Sequence, residues 1–374
     1  MKYNYFEKNP KKTILVFILI FIAIIDFSIK GSINLYNYIY YGDSIKDIVT
    51  AHPNYSHTFK KNKKVSINDP RGNYKIITNS LGFKDKEIRQ VDLSTNKKRI
   101  LLIGDSFTEG ILLNYENTFA GIFDEYLKKL DIELLNAGRG GYSPIIYWAK
   151  IKYLIEIEKL KFDELFVFID ISDTWDEYYN FTLDNNNNVI LKNQNNTNNN
   201  KKNETANLKI FLKNNTILTY QLLNYLYDTF INPIDKNEYW YSYFSDIHFY
   251  KWIYDDQTYN EWGKEGVKSQ IYYMNKLKKL LDENQIELTI AIYPWINLII
   301  NEELNSRYVE IWEKWSNENN ADFINLIPYF VKENITEQEK DKIINNNYIK
   351  GDFHFNKNGN KIIADVLIEK FEIR

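Results

Sequence analysis

Short apolar runs alternate with helix-like segments along the chain from residue 99 to residue 371. Each run has the four to six residues of a buried strand, and apolar residues recur at helical spacing in the segments between them. Parallel strands need long crossover connections, and the crossover helices cover both faces of the sheet. The alternation therefore predicts an α/β fold of three layers, αβα, with a doubly wound parallel sheet as the middle layer.

The predicted strands are Arg99–Ile103, Ile132–Leu135, Leu165–Ile169, Glu287–Ile292 and Phe323–Leu326. The predicted helices are Thr118–Leu130, Ser143–Leu160, Val267–Leu281, 303–318 and Asn358–Phe371. The alternation is interrupted from 174 to 265, first by a polar low-complexity tract, 185–203, that cannot bury enough apolar surface to order itself. The rest of the interruption is rich in Tyr, Trp and Phe, which predicts an ordered insertion beside the sheet, either a lid or a packed support.

The composition excludes several classes of function. With 47 basic and 50 acidic side chains the net charge is -3, which argues against a nucleic-acid partner. The absence of cysteine excludes disulfides, a thiol nucleophile and cysteine-ligated metals. No metal-binding, P-loop or dinucleotide motif is present, so we predict no cofactor and no metal. Any imidazole chemistry must use one of four histidines: His52, His57, His248 and His354.

An unbroken apolar run, Ile14–Ile25, lies near the N-terminus and follows four lysines. Seventeen residues from Thr13 would span about 26 Å as a helix, which is at the short end for a membrane span. The positive-inside rule then predicts a cytoplasmic segment, 1–12, and a single-pass signal anchor, 13–30, in the cell membrane. A cleaved signal peptide is the alternative, although no small-x-small cleavage pattern follows.

This arrangement exports the remainder of the chain to the periplasmic or extracellular side of the membrane. Residues 31–97 form a juxtamembrane lead with turn-rich stretches, and residues 98–374 form the main domain, including the insertion. These boundaries are predictions from composition and periodicity.

The first candidate for chemistry is Ser106. It stands in Gly104-Asp105-Ser106, directly after the predicted strand Arg99–Ile103. In doubly wound sheets ligands bind at the carboxyl ends of the strands, where its hydroxyl is expected to lie. The same tripeptide also fits an ordinary turn or helix cap.

A serine nucleophile needs a base, and the base needs an acceptor that fixes its tautomer. Asp352 and His354 precede the terminal helix, in a loop expected at the same edge of the sheet. Asp246 and His248, in the aromatic part of the insertion, have the same spacing and are the competing pair. We prefer His354 because of its predicted position.

Three stretches of the sequence resemble the SGNH or GDSL-type serine esterases and acetyl hydrolases: Gly104–Ser106, Asn136–Gly141 and Asp352–Gly359. The resemblance implies a flavodoxin-like SGNH hydrolase fold with Ser106 as nucleophile, His354 as base and Asp352 as its orienting carboxylate. It also implies an oxyanion hole that includes the amides of Ser106 and Gly141. Asn79–Phe83 and Ile292–Trp295 are similar to membrane-anchored bacterial members associated with surface polysaccharides.

Two positions depart from the family pattern. The third block usually ends in Asn-Asp, whereas this chain has Ser172-Asp173, so Ser172 takes the place of an oxyanion donor. Loss of one such donor costs on the order of 10²–10³ in rate. The orienting aspartate stands two residues before the histidine instead of the commoner three. Asp170 and Asp173 offer ligands for a hard cation, but hydrogen bonds within their loop are the favoured interpretation.

The motifs and the resemblance together predict a serine-dependent esterase or acetyltransferase that acts on an acylated carbohydrate of the cell envelope or on a small ester. Whether water or a sugar hydroxyl accepts the acyl group depends on how well the site excludes water. The alternative is a membrane-anchored carbohydrate-binding or assembly module with the same fold and no turnover, which the serine at position 172 and the aromatic insertion favour.

Overall fold

A computed structural model describes residues 47–69, 71–192, 241 and 248–373, together with residues 10, 13, 14, 17, 20–22 and 24–29. By their contacts the residues divide into one compact unit of 44–192 with 239–374 and another of 1–43 with 193–238. The described positions between 10 and 29 are helical. In the described part of the chain, no helix combines the length and the apolar character needed to cross a membrane.

The larger unit contains eleven strands and ten α-helices within its described residues. The strands are β1 Val49–His52, β2 Ser56–Phe59, β3 Lys64–Asp69, β4 Gly72–Ile77, β5 Arg99–Ile103, β6 Glu133–Asn136, β7 Glu164–Ile169, β8 Phe181–Leu183, β9 Val189–Leu191, β10 Glu287–Ile292 and β11 Asp322–Asn325. The helices are α1 Ser106–Glu109, α2 Phe119–Lys128, α3 Pro144–Glu156, α4 Asp173–Trp175, α5 Asp256–Thr258, α6 Lys264–Glu283, α7 Ile296–Ile300, α8 Arg307–Glu318, α9 Glu337–Asn347 and α10 Lys357–Glu372.

Five strands form a parallel sheet in the order β11-β10-β7-β5-β6. Leu101 in the middle of β5 pairs with Leu135 on one side and Leu165 on the other. Every residue of β5 and β7 is buried, as expected for strands covered on both faces. The prediction of an α/β fold with a parallel central sheet is confirmed.

The helices lie on both faces of this sheet. After β6 the chain reverses direction and crosses β5 to reach β7, so right-handed crossovers place α2 on one face and α3, α6 and α8 on the other. In agreement, α3 packs against α6 and α2 packs against α10. The reversal creates a switch point between β5 and β7, and in open α/β sheets ligands bind at such a point.

The described part of the predicted lead belongs to the same compact unit as the sheet. It folds into two antiparallel hairpins, β1–β2 and β3–β4. Lys150, on α3, contacts both the lead and the loop after β6. Its ammonium donates to the carbonyl of Ala137, directly after β6, at 2.9 Å. The rings of Tyr55, Phe83 and Tyr142 lie 4.9 to 5.4 Å from this ammonium. Burial, together with the charge of Arg139, lowers the pKa of Lys150 to about 7.

The predicted insertion, 174–265, is described only in part. It begins with α4, one turn of π-helix and the hairpin β8–β9, and its last part, from 248, returns to the sheet. Trp252 is fully buried and donates from Nε1 to the carbonyl of Ile171 at 3.1 Å. The described end of the insertion is therefore a packed support. Most of the polar tract, 193–203, and most of the aromatic segment up to 247 lie outside the described residues.

Candidate active site

Ser106 lies at the carboxyl end of β5, where strand changes abruptly to helix. Asp105 caps α1 by accepting a hydrogen bond from the amide of Phe107 at 3.0 Å, and Ser106 is the first helical residue. A Cβ at Gly104 would lie 2.9 Å from the carbonyl oxygen of Phe168 and 2.1 Å from the hydroxyl oxygen of Thr108. Only glycine therefore fits the turn that presents the Ser106 hydroxyl.

The structure brings Ser106, His354 and Asp352 together in one hydrogen-bonded series. His354 Nε2 lies 2.8 Å from Ser106 Oγ, although 248 positions separate them, and His354 Nδ1 lies 2.5 Å from Asp352 Oδ1. Both distances are within the reach required of a nucleophile, its base and the group that orients the base. The imidazole can therefore accept the hydroxyl proton through Nε2 while Asp352 holds Nδ1.

The loop between α9 and α10 presents this pair. The amide of Ile349 donates to the carbonyl of His354 at 2.9 Å, which closes the loop, and Asn356 caps α10. Burial acts to raise the pKa of Asp352, but the hydrogen bond and charge of His354, together with the charge of Arg71, outweigh it and hold this pKa below its ordinary value. Asp352 is therefore a carboxylate at neutral pH, which is the form that orients an imidazole.

Gly141 belongs to a loop that follows β6 and lies against α1. A Cβ on Gly140 would be 3.5 Å from Cβ of Ser106, which shows how close the loop comes to this serine. Gly140 donates its own amide to Oε2 of Glu109 at 2.8 Å. Gly141 has a φ of +77°, and its amide, like that of Ser106, has no acceptor among the described residues. Neither amide is therefore used by another described group.

The hydroxyl of Ser172 points elsewhere. It donates to Oδ1 of Asp170, as does the amide of Ser172 at 2.7 Å. The other carboxylate oxygen of Asp170 accepts a hydrogen bond from Trp295 Nε1 at 2.6 Å. In this arrangement the hydroxyl proton of Ser172 is already used within its own loop.

Three buried carboxyl groups, those of Asp105, Asp170 and Asp173, lie at the ends of β5 and β7. Burial, reinforced by the charge of Asp170, raises the pKa of Asp105 to about 7, and burial raises that of Asp170 to about 6. Asp105 also lies 3.1 Å from Ser106 Oγ through its Oδ2 atom. Asp173 accepts from the Tyr147 hydroxyl at 2.9 Å and from the amide of Asp170 at 3.1 Å. Among the described residues, no three His, Asp or Glu side chains are placed to hold a metal ion.

The competing pair lies largely outside the described residues. Asp246 is not described, and for His248 only the backbone, at the start of a 3₁₀ helix, is described. The loop of Gly141 has a histidine neighbour that the sequence did not single out: His57 Nε2 lies 2.9 Å from the carbonyl oxygen of Gly140. Burial lowers the pKa of His57, so the neutral ring donates this hydrogen bond.

Sequence reasoning also missed Glu109 and Arg71. Glu109 stands three residues after the nucleophile and binds the loop of Gly141, whereas the guanidinium of Arg71 donates to Asp352. The only sequence signal for Arg71 was its position in a turn-rich stretch, which gave no reason to place it beside the loop before α10.

No family model and no curated protein matches the sequence. Solved structures with a similar chain path are esterases of the GDSL type and acetylxylan esterases. An acetyl xylan esterase, AlAXEase, is 14% identical with a TM-score of 0.40, over 73% of this chain and 98% of that chain. A putative lipolytic protein of the G-D-S-L family from Desulfitobacterium hafniense DCB-2 is 12% identical with a TM-score of 0.38, over 73% of this chain and 99% of that chain.

Proposed function

We propose that the protein is a serine-dependent carboxylic ester hydrolase or acyltransferase that acts on an acylated carbohydrate of the cell envelope. The observation that carries this proposal is the hydrogen-bonded series of Ser106, His354 and Asp352. Ser106 Oγ lies 2.8 Å from His354 Nε2, and His354 Nδ1 lies 2.5 Å from Asp352 Oδ1. These three side chains lie at the switch point of the sheet. The backbone amides of Ser106 and Gly141 belong to the same region and have no acceptor among the described residues.

In the proposed reaction Ser106 Oγ attacks the acyl carbon and passes its proton to His354 Nε2. The amides of Ser106 and Gly141 stabilise the oxyanion that forms. The sugar oxygen leaves with the proton from His354, and the acyl group remains on Ser106 as an ester. Water or a second hydroxyl then attacks this ester, again with His354 as base, and restores the serine.

Ser172 is the third candidate donor. Its hydroxyl would have to leave Asp170 before it could reach an oxyanion, so we give the main role to the two backbone amides. The same observation favours the second candidate function, a carbohydrate-binding module without turnover, because a hole with fewer donors stabilises the transition state less.

A carbohydrate substrate agrees with two groups of aromatic rings, one in the loop of His354 and one after β7. Phe353, between the two triad residues of its loop, stacks on Trp295 at 4.4 Å. Tyr179 is 39% exposed and lies 4.0 Å from the ring of Trp175, a few residues beyond the end of β7. Sugar rings place their C–H faces on such surfaces because the C–H groups are apolar and the aromatic face is electron-rich.

The decisive experiment compares Ser106→Ala with Ser66→Ala, an exposed serine on β3. We expect Ser106→Ala to lower kcat/KM on p-nitrophenyl acetate by at least about 10³ and to abolish labelling by a fluorophosphonate, with the control unchanged. Acetylated oligosaccharides then separate hydrolysis, which releases acetate, from transfer to an added sugar. Full activity of Ser106→Ala would refute the proposal that the protein is a serine-dependent enzyme. Saccharide binding without any labelling of the wild type would support the binding module.

We further propose that residues 13–30 anchor the protein in the cell membrane, with the larger unit on the exported side. The apolar run and the preceding lysines support this orientation. Carbonate washing of membranes should leave the full chain in the pellet, and protease added outside spheroplasts should degrade the larger unit. Release by carbonate would contradict the anchor, and a mature N-terminus near residue 30 would indicate a cleaved signal peptide.

A further inference from the structure

We propose that Arg71 is a positioning residue of this site, acting on the nucleophile through Asp352 and His354. The proposal rests on the function proposed above. Arg71 Nη1 donates to Oδ2 of Asp352, while His354 Nδ1 is bound to Oδ1 of the same carboxylate. Both oxygens of Asp352 are therefore occupied, one by the base of the reaction and the other by a cation from a distant part of the chain.

The β3–β4 hairpin holds Arg71 for this contact. Asp69 and Gly72 form the last pair of the hairpin, and Arg71 lies in the turn between them. The carboxylate of Asp69 accepts from Nε of Arg71 at 2.7 Å, from Nη2 at 2.8 Å and from the Arg71 amide at 2.9 Å. This two-pronged contact fixes the plane of the guanidinium and leaves Nη1 directed at Asp352.

The guanidinium has two effects on the Asp352 carboxylate. It prevents rotation of the carboxylate away from the imidazole, since rotation would break a charged hydrogen bond on the other oxygen. It also favours the ionised form, against the effect of burial. Among the described residues, the other titratable groups that interact with Arg71 or His354 include Asp69, behind the guanidinium, Tyr74, and Asp105, across the imidazole.

The exposure of the two partners separates this role from a role in stability. The Arg71 side chain is 38% exposed and the Asp352 side chain 6% exposed. Water solvates the Arg71 guanidinium in the folded and the unfolded state, and after its removal the buried Asp352 still accepts hydrogen bonds from Nδ1 and the amide of His354. Removal of Arg71 should therefore leave the protein folded and change the orientation of a buried carboxylate that the reaction uses.

The test uses the full chain with Arg71→Gln, Arg71→Lys, Arg71→Ala and Asp69→Asn. The matched control is Lys64→Gln, which removes an exposed charge at the other end of the same hairpin. For each protein, kcat and KM on p-nitrophenyl acetate are measured from pH 5 to pH 9, together with Tm. Arg71→Ala is also assayed with added guanidinium ion in the millimolar range, too dilute to denature.

We expect Arg71→Gln to lower kcat about tenfold, the effect of one hydrogen bond to a charged group. KM and Tm should stay close to those of the wild type. Arg71→Lys should have a higher kcat than Arg71→Gln, and Asp69→Asn should lose less of its kcat than Arg71→Gln. Added guanidinium should partly restore the kcat of Arg71→Ala. Arg71 lowers the pKa of Asp352, so loss of the cation should raise this pKa, and activity at the acidic end of the pH range should fall more in Arg71→Gln than in the wild type.

An unchanged kcat in Arg71→Gln would overturn the proposal, and so would an equal loss in Lys64→Gln. A fall in kcat that follows a fall in Tm, with no rescue by lysine or guanidinium, would assign Arg71 a structural role and overturn it as well. The two proposals fail separately. If Ser106→Ala keeps its activity, the proposed reaction is wrong, whereas an inactive Ser106→Ala with a fully active Arg71→Gln refutes only the role of Arg71.

Discussion

Replacement of Glu109 tests how the loop that carries Gly141 is held next to the nucleophile. Glu109 is 3% exposed, and its Oε2 atom accepts from the amide of Gly140 at 2.8 Å and from Nη1 of Arg139 at 2.6 Å. The carboxylate thus binds the amide of the residue directly before Gly141 and neutralises an arginine of the same loop. Glu109→Gln keeps the shape of the side chain and removes its charge, and Glu109→Ala removes both contacts.

The magnitude follows from the burial of the two partners. Removal of one member of a fully buried ion pair costs about 3–5 kcal/mol. The Arg139 side chain is 16% exposed and lies 4.5 Å from the centre of the Phe59 ring, so it keeps part of its stabilisation. We therefore expect a loss of about 2 kcal/mol for Glu109→Gln. Loss of an oxyanion donor costs 10²–10³ in kcat, and a displaced amide less, so we expect about tenfold for glutamine and about 100-fold for alanine.

Urea unfolding gives the stability, and initial rates with p-nitrophenyl acetate give kcat and KM. The matched control is Glu125→Gln, a 69% exposed residue that lies 3.9 Å from Lys86. If Glu109→Ala folds and its kcat stays within twofold of the wild type, the amide of Gly141 does not depend on Glu109 and the reasoning is wrong.

Two further predictions concern stability. Burial raises the pKa of Glu177 from 4.5 to about 7, so the folded state binds the proton more tightly and the wild type loses stability as pH rises through this interval. The amide of Glu177→Gln can accept a hydrogen bond from Ser143 and donate one to Ser269. Measured by urea unfolding, this variant should be more stable than the wild type by about 2 kcal/mol at pH 8 and should show no such gain at pH 4. Equal stability at pH 8 would contradict this reasoning. Gly266→Ala should lower Tm, because the new Cβ would lie 2.3 Å from the carbonyl oxygen of Thr174. This clash should outweigh the preference of helices for alanine over glycine, which is up to about 1 kcal/mol. A raised Tm would contradict this reasoning.

The sequence predicted the sheet well because each strand is a local apolar run with a turn after it. Helix ends were less accurate: α3 ends at Glu156, whereas Ser143–Leu160 was predicted. The chain turns back there, with Lys159 at a φ of +59° and the amide of Leu160 bound to the carbonyl of Leu154 at 2.9 Å. Apolar periodicity continues through such a turn and does not reveal it.

The candidate site shows the same division between local and distant information. Ser106, Asp352 and His354 were found because each stands in a short motif at the end of a predicted element, and topology brings those ends together. Arg71 was not found, because its contact with Asp352 joins positions 281 residues apart and depends on how a hairpin docks. The orientation of the Ser172 hydroxyl depends likewise on the carboxylate of Asp170, which Trp295 holds from the loop between β10 and α7.

The burial of Lys150 also makes this residue a reporter of local opening. Lys150 as a whole is 1% exposed, so an acylating reagent can reach its amine only when the segments around it separate. The neutral fraction of an amine is the reactive one, and once exposed this amine regains the reactivity of any surface lysine. The modification rate at this single position, followed by peptide mass spectrometry, would therefore measure how often the loop before α3 detaches, with no substrate present.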